Sequence, residues 1–92
     1  MAAKVIFAVY GGLKGGNSDS TEARIVTNAL QSQLSKPGSN GVVRIDNTTM
    51  GGDPAPGVQK HFGAIVEVDG PAPGQKQQLP FACLENQTID FT

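Results

Sequence analysis

The chain has 92 residues, and its seven Lys and Arg are nearly balanced by eight Asp and Glu scattered along it. This balance argues against a nucleic-acid-binding protein, which needs a basic stripe, and no apolar run is long enough to span a membrane. The length predicts one small domain, residues 1–92, that buries only roughly 60–65% of its unfolded surface.

Cysteine usage points to a reducing compartment. Cys83 is the single cysteine, so neither an internal disulfide nor a Cys-rich zinc site is expected. The apolar run near residues 5–10 is too short for a signal peptide and has no convincing cleavage region. We therefore expect a soluble, cytoplasmic protein with no cofactor and no metal site built from His or Cys, while secretion by a route without a signal stays open.

The first predicted element is a strand, residues 5–10, whose continuous apolar run is typical of a central position in a sheet. Residues 11–18 form a glycine-rich loop that lacks the Lys and Ser or Thr of a P-loop. A capping-box pattern from Asp19 to Glu22 then precedes apolar residues at helical spacing, which predicts an amphipathic helix over residues 20–35.

Four further strands are predicted: Val42–Ile45, Val58–Val68, Gln75–Cys83 and Thr88–Phe91. Gly63 indicates a bulge or a close backbone approach, and Pro80 confines part of its strand to a sheet edge or a bulge. Short turns between these strands favour antiparallel pairing. The predicted fold is mainly β, or α+β: a small antiparallel sheet or β-sandwich of about five strands with one short helix.

The loop before the Val58–Val68 strand has the most demanding residue choices. Its Asp, Asn and Thr residues favour turns, its glycine pair permits positive φ and its prolines fix φ, so we predict a rigid, specifically shaped connection. Rigid polar loops on a sheet often carry binding residues. The candidate binding residues of this loop and of the next one are Asp46, Asn47, Thr48, Thr49, Asp53, Lys60 and Asp69. In the simpler alternative, the polar side chains cap and shape the turn.

Two loops, residues 47–57 and 69–74, share the sequence Pro-Ala-Pro-Gly, and we interpret them as one binding face. The expected ligands are a protein partner, a carbohydrate or Ca²⁺, in that order. The acidic spacing does not match an EF-hand, which needs oxygens at alternate positions and a closing Glu.

The sequence offers little for catalysis. A nucleophile pair of His61 and Cys83 is one alternative, because the strands that carry them are adjacent in the chain. No orienting carboxylate or oxyanion hole accompanies the pair, so we expect an ordinary histidine and a small core thiol. The leading hypothesis is a non-catalytic binding or interaction module. The alternative is a self-associating structural protein, suggested by the modest core and by apolar strands that leave an edge exposed.

Three short motifs give the chain a family resemblance: Ala8-Val9-Tyr10-Gly11, Val26-Thr27-Asn28-Ala29-Leu30-Gln31, and a loop with Asn47, Asp53-Pro54, Gly57 and Lys60. Together they resemble an uncharacterised domain found at the C-terminus of a DnaJ-like mitochondrial protein and in small bacterial proteins of unknown function. The resemblance covers about residues 4–91 and implies a fold, not an activity. No J-domain signature is present.

The resemblance also implies a different structure for residues 20–35. It implies that residues 23–26 are extended, that Thr27 is the N-cap and that a short helix covers residues 28–35. Ile25 stands where the family usually has Asp before Val-Thr. A helix over residues 28–35 is common to both interpretations, while residues 20–26 remain open between helix and strand.

Overall fold

A computed structural model describes residues 3–15, Ser18 and 20–92 of the chain. These residues form six strands and one helix: β1 Lys4–Leu13, β2 Thr21–Ile25, α1 Thr27–Ser35, β3 Val42–Ile45, β4 His61–Asp69, β5 Lys76–Leu84 and β6 Gln87–Asp90. The mainly β fold with one short helix is therefore confirmed.

Four strands form an antiparallel sheet in the order β2-β1-β4-β5, and β3 pairs with β6 in a separate antiparallel ladder. The β4–β5 hairpin is closed by the Gly70 N–H, which donates to the Gln75 carbonyl at 2.8 Å. The β5–β6 turn places Asn86 at a φ of 69°, a left-handed conformation that Asn tolerates better than most residues. The predicted antiparallel pairing is confirmed.

Residues 21–25 are a strand, and the predicted helix holds only from Thr27 onward. β2 pairs with β1 so that Ile25 lies opposite Val9, and this tertiary pairing overrides the helical spacing of the sequence. The described part of the chain consequently has one strand more than the expected five. The proposed capping-box residue Asp19 lies outside the described residues.

The start of α1 is fixed against β1 through the backbone of Ala8. The Val26 N–H donates to the Ala8 carbonyl at 2.8 Å, and the Ala8 N–H donates to Thr27 Oγ1 at 3.1 Å. The N-cap position is held by Val26, without a side-chain cap. The expected N-cap role of Thr27 is therefore wrong, because its hydroxyl is used to bind the sheet.

One buried cluster joins the inner face of the four-stranded sheet to α1 and to the β3–β6 ladder. Its members are Val5, Ala8, Tyr10, Val26, Leu30, Leu34, Val43, Ile45, Met50, Phe62, Ala64, Val66 and Phe91. Phe91 also meets the ring of Phe81 on β5 at a centroid distance of 4.7 Å. Met50 belongs to the loop before β4, so this loop is anchored in the core.

The two residues expected to disturb the sheet behave differently. Pro80 lies on β5, an edge strand, so the edge prediction is confirmed. Gly63 does not mark a bulge: the irregularity lies in β1, between Val5 and Phe7. A Cβ on Gly63 would meet no atom closer than 3.9 Å, so close backbone approach does not explain this glycine either.

Candidate functional site

The loop between β3 and β4, residues 46–60, is shaped by its own polar side chains. Asp46 Oδ1 accepts the Thr49 N–H at 2.8 Å, and Thr49 Oγ1 accepts the Asp46 N–H at 3.0 Å. The Thr49 hydroxyl donates to the Arg44 carbonyl at 2.7 Å. Thr48 is exposed. At Asp46 and Thr49 the observed contacts are those of turn capping.

Asn47 is joined to β1 by the only tyrosine of the chain. The Tyr10 hydroxyl donates to Asn47 Oδ1 at 2.6 Å, and Tyr10 is fully buried. Burial, and after it the nearby carboxylates of Glu85, Asp53 and Asp46, raise the pKa of Tyr10 to about 12. Asn47 therefore holds the loop onto the sheet.

Lys60 is a buried cation between two carboxylates. Its side chain is 5% exposed, and its Nζ lies 2.8 Å from Asp53 Oδ1 and 3.8 Å from Glu85 Oε1. The backbone of Lys60 also contacts Glu85. The Lys60 N–H donates to Glu85 Oε1 at 2.8 Å, and the Glu85 N–H donates to the Lys60 carbonyl at 3.0 Å. The hydrogen bond from Lys60 lowers the pKa of Asp53.

We call Tyr10, Asn47, Asp53, Lys60 and Glu85 the loop network. Four of these residues carried the sequence motifs or the predicted loop site, whereas Glu85 was missed. The register of β4 and β5 pairs His61 with Leu84, so the next residues outward are Lys60 and Glu85. Glu85 lies between the predicted strands Gln75–Cys83 and Thr88–Phe91, and only the strand register places it beside the buried lysine.

We expect the phenol of Tyr10 to titrate with a midpoint near its raised pKa of about 12. The chain has one tyrosine and no tryptophan, so phenolate absorbance reports this group alone. Because the folded pKa lies above the unfolded value of about 10, stability present below that value is lost as the pH rises through the folded pKa. A midpoint near 10 without denaturant would mean that water reaches the phenol.

The two Pro-Ala-Pro-Gly loops do not form one face. The loop of residues 46–60 ends where β4 begins, at His61, whereas Asp69 is the last residue of β4. At ~3.3 Å per residue, His61 and Asp69 are about 26 Å apart along the strand. Asp69 forms an ion pair with Lys76, and both side chains are more than half exposed. The expectation that both loops build a single binding face is wrong, because β4 separates them.

His61 and Cys83 do not converge. His61 lies opposite Leu84, whereas Cys83 lies opposite Phe62, so the two side chains project from opposite faces of the sheet. Burial raises the pKa of the Cys83 thiol, which disfavours the nucleophilic thiolate.

Oxygen ligands for a cation are not grouped by the fold. In the part of the chain that the structure describes, no group of three or more His, Cys, Asp or Glu residues is placed to hold a metal ion. The Asp46 and Asp53 carboxylates, considered for Ca²⁺, accept hydrogen bonds within the loop. Over residues 3–15, Ser18 and 20–92, no helix has the length and apolar character needed to cross a membrane.

The four-stranded sheet has a second face, turned away from the core, which we call the outer face. Residues directly opposite one another on neighbouring strands share a face. The outward rows are Thr21 and Leu13; Ala23, Gly11, His61 and Leu84; Ile25, Val9, Gly63 and Ala82; and Phe7, Ile65 and Pro80. None of these positions carries Asp, Glu, Lys or Arg, and charge returns only in the next row, at Lys4 and Glu67.

Several apolar side chains of the outer face are exposed to solvent. Phe7 is 45% exposed, Ile25 68% and Ile65 37%. An antiparallel sheet with one face on its core normally presents polar residues on the other face. The outer face of this sheet departs from that pattern across all four strands.

The outer face also contains a recess of about 430 Å³ where β2, β1 and β4 carry small residues. Gly11, Gly63 and Ala23 line it, and so do the larger side chains of Leu13, Thr21, Val58, Gln59 and His61. Gly11 has no room for a side chain, because a Cβ there would lie 2.4 Å from the Ala23 Cα.

The outer face was missed at the sequence level, although a signal was present. The continuous apolar run of residues 5–10 is typical of a strand that is buried on both faces. The fold covers the inner side of β1 and leaves Phe7 exposed. Because β1 is apolar on both sides and the fold covers only one, its sequence already indicated an exposed apolar surface.

Comparison of the chain with protein-family models, with curated protein sequences and with solved structures finds no match.

Proposed function

We propose that the chain is a non-catalytic interaction module that binds a protein partner through the outer face of its four-stranded sheet. The observation that carries this proposal is the absence of charge from four successive outward rows, with Phe7, Ile25 and Ile65 exposed among them. Contiguous exposed apolar surface of several hundred Å² is typical of an interaction site.

The loop residues support this surface less well than the sheet does. Asp46, Asn47 and Asp53 direct their oxygens at partners within the chain. A carbohydrate needs polar groups to pair with its hydroxyls, and the outer face offers few. An apolar protein surface matches the chemistry of this face better, so a protein is the favoured ligand class.

We also propose that the protein is cytoplasmic and that it works without a cofactor. The single cysteine, Cys83, leaves no possible internal disulfide, which suits a reducing compartment.

The proposal is tested with Phe7→Lys and Ile25→Lys, compared with Val42→Lys as a matched control. Val42 is 44% exposed, close to the 45% of Phe7, but it lies on β3, outside the four-stranded sheet. In dilute solution all three variants are expected to change the free energy of unfolding by less than about 1 kcal/mol, because the altered side chains are exposed in the monomer.

The neutral apolar dye Nile red separates the outer face from the control. Nile red fluorescence is expected to be lower with Phe7→Lys and Ile25→Lys than with the wild-type chain and to be unchanged with Val42→Lys, because only the first two variants place charge on the outer face. Equal dye binding by all four proteins would reject the outer face as the binding surface. Unfolding of Phe7→Lys and Ile25→Lys would show instead that these residues serve the fold.

A further inference from the structure

We propose that the partner on the outer face is a second copy of this chain, stacked sheet against sheet about a two-fold axis. The proposal rests on the proposed function, because it names the occupant of the same surface. It follows from the shape, the charge and the area of the outer face.

The outer face carries a projection and a recess on the same pair of strands. Phe7 and Ile65 are opposite each other on β1 and β4 and form an apolar ridge, 45% and 37% exposed. Gly11 and Gly63, on the same two strands, line the recess of about 430 Å³. A self-complementary interface requires a projection and a recess on the same surface, and the outer face has both.

The spacing of ridge and recess defines the symmetry. Val9 lies midway between Phe7 and Gly11 on β1, about 7 Å from each at ~3.4 Å per residue. A two-fold axis in the interface plane, running across the strands at the level of Val9, reverses the strand direction. It therefore places each Phe7 ridge over the Gly11 recess of the other copy, as an isologous interface demands.

The charge pattern permits this arrangement. The four rows from Thr21 to Phe7 contain no ionised Lys, Arg, Asp or Glu side chain, so a second copy brings no like-charge contact into the centre. Lys4 and Glu67 lie beyond the ridge, at the margin of the stacked region. There they remain in water, where charged side chains need no buried partner.

The area is sufficient for a dimer that dissociates on dilution. Four strands at ~4.8 Å and the seven residues from Phe7 to Leu13 of β1 at ~3.3 Å per residue give roughly 440 Å² for each face, or about 900 Å² for two, which is the size of a weak, transient interface. Stable interfaces begin at about 1,200 Å². Two such sheets would pack about 10 Å apart, as in a β-sandwich.

The oligomeric state tests the proposal by sedimentation over a range of protein concentrations. The 9.5 kDa chain is expected to approach twice its mass at high concentration. Phe7→Lys and Ala23→Glu are each expected to raise the dissociation constant at least about 100-fold, because two-fold symmetry repeats every substitution in the interface. Val42→Lys is expected to leave the dissociation constant unchanged.

Mixing the two variants tests the ridge-to-recess geometry. An equimolar mixture of Phe7→Lys and Ala23→Glu is expected to regain dimers. In the mixed dimer, one ridge-to-recess contact brings the new lysine of one copy to the new glutamate of the other, and the second contact has the wild-type residues on both sides. A wild-type mass that stays at one chain at every concentration overturns the second copy as partner. If the outer face still binds Nile red in that case, the interaction module stands with a different protein as its partner; if it does not, both proposals fail. Dimers that persist in both variants would place the interface elsewhere.

Discussion

Replacing Gly11 with alanine is expected to lower the free energy of unfolding by about 4 kcal/mol, the largest effect we expect from a single methyl group in this chain. The added Cβ would lie 2.4 Å from both the Ala23 Cα and the Glu22 carbonyl oxygen. Both are backbone atoms of β2, which cannot move aside without breaking the β1–β2 ladder. The φ of 153° adds strain for any residue other than glycine, so about 2 kcal/mol of strain joins about 2 kcal/mol of overpacking.

Urea unfolding at low protein concentration measures this effect, and Gly63→Ala is its control. Gly63 lies on the neighbouring strand and on the same face, but its Cβ would meet no atom closer than 3.9 Å. The control is expected to change the free energy of unfolding by less than about 1 kcal/mol. Hydrogen exchange should show the loss of protection in β2 first for Gly11→Ala. Equal stability of the two variants would mean that β2 is free to shift.

Lys60→Met is expected to lower the free energy of unfolding by about 3 kcal/mol, near the lower end for a buried ion pair that loses one partner. Methionine keeps most of the apolar stem of the lysine and removes the ammonium group, with its charge and its hydrogen-bond donors. The substitution leaves Asp53 and Glu85, 33% and 16% exposed, facing each other without the cation between them. The partial exposure of Asp53 limits the cost.

The matched control is Lys76→Met, which makes the same substitution on β5, opposite the last residue of β4. Lys76 pairs with Asp69, but the two side chains are 51% and 63% exposed, and exposed ion pairs contribute little to stability. We expect thermal unfolding to show a clear fall in Tm for Lys60→Met and almost none for Lys76→Met. Similar shifts in the two variants would contradict a buried role for Lys60.

Acid unfolding gives the Lys60 prediction a second readout. The hydrogen bond from Lys60 lowers the pKa of Asp53 in the folded chain. Stability from this shift is present above the unfolded Asp pKa of about 3.9, and it is lost as the pH falls through the lower folded pKa. Lys60→Met is expected to lose this acid-sensitive contribution, which a variant damaged only in packing would retain.

Local chemistry predicted the elements whose signals lie within a few residues. Pro80 indicated an edge strand because proline cannot donate a ladder hydrogen bond, and it lies on one. The helix over residues 28–35 and the strand Val42–Ile45 were predicted from spacing and β-branching, and both form. The polar side chains at Asp46 and Thr49 were considered for binding, with turn capping as the simpler interpretation, and the observed contacts are those of capping.

The features that were missed depend on pairing between distant parts of the chain. Residues 21–25 have helical spacing, and only β1 makes them a strand. Glu85 becomes a partner of Lys60 only once the β4–β5 register is known. The outer face exists because the helix and the β3–β6 ladder both lie on one side of the sheet. Local sequence patterns do not predict on which side of a sheet such elements pack.

The residues behind the family resemblance acquire a physical explanation within this chain. Tyr10 with Asn47 and Asp53 with Lys60 are contact pairs, and Gly11 is required by the close approach of β2. Their spacing in the sequence therefore follows from holding one loop against one sheet. It requires no ligand.

The strand order also has a consequence for the time course of folding. β1 pairs with β4, and more than half of the chain lies between Tyr10 and its partner Phe62. Contacts this distant in sequence slow folding, because chain entropy is lost before the contacts are gained. During synthesis the central pair of the sheet cannot form until β4 has left the ribosome. Until then β1, apolar on both sides, has only β2 as a sheet neighbour, and apolar surface exposed in this way favours aggregation before folding is complete.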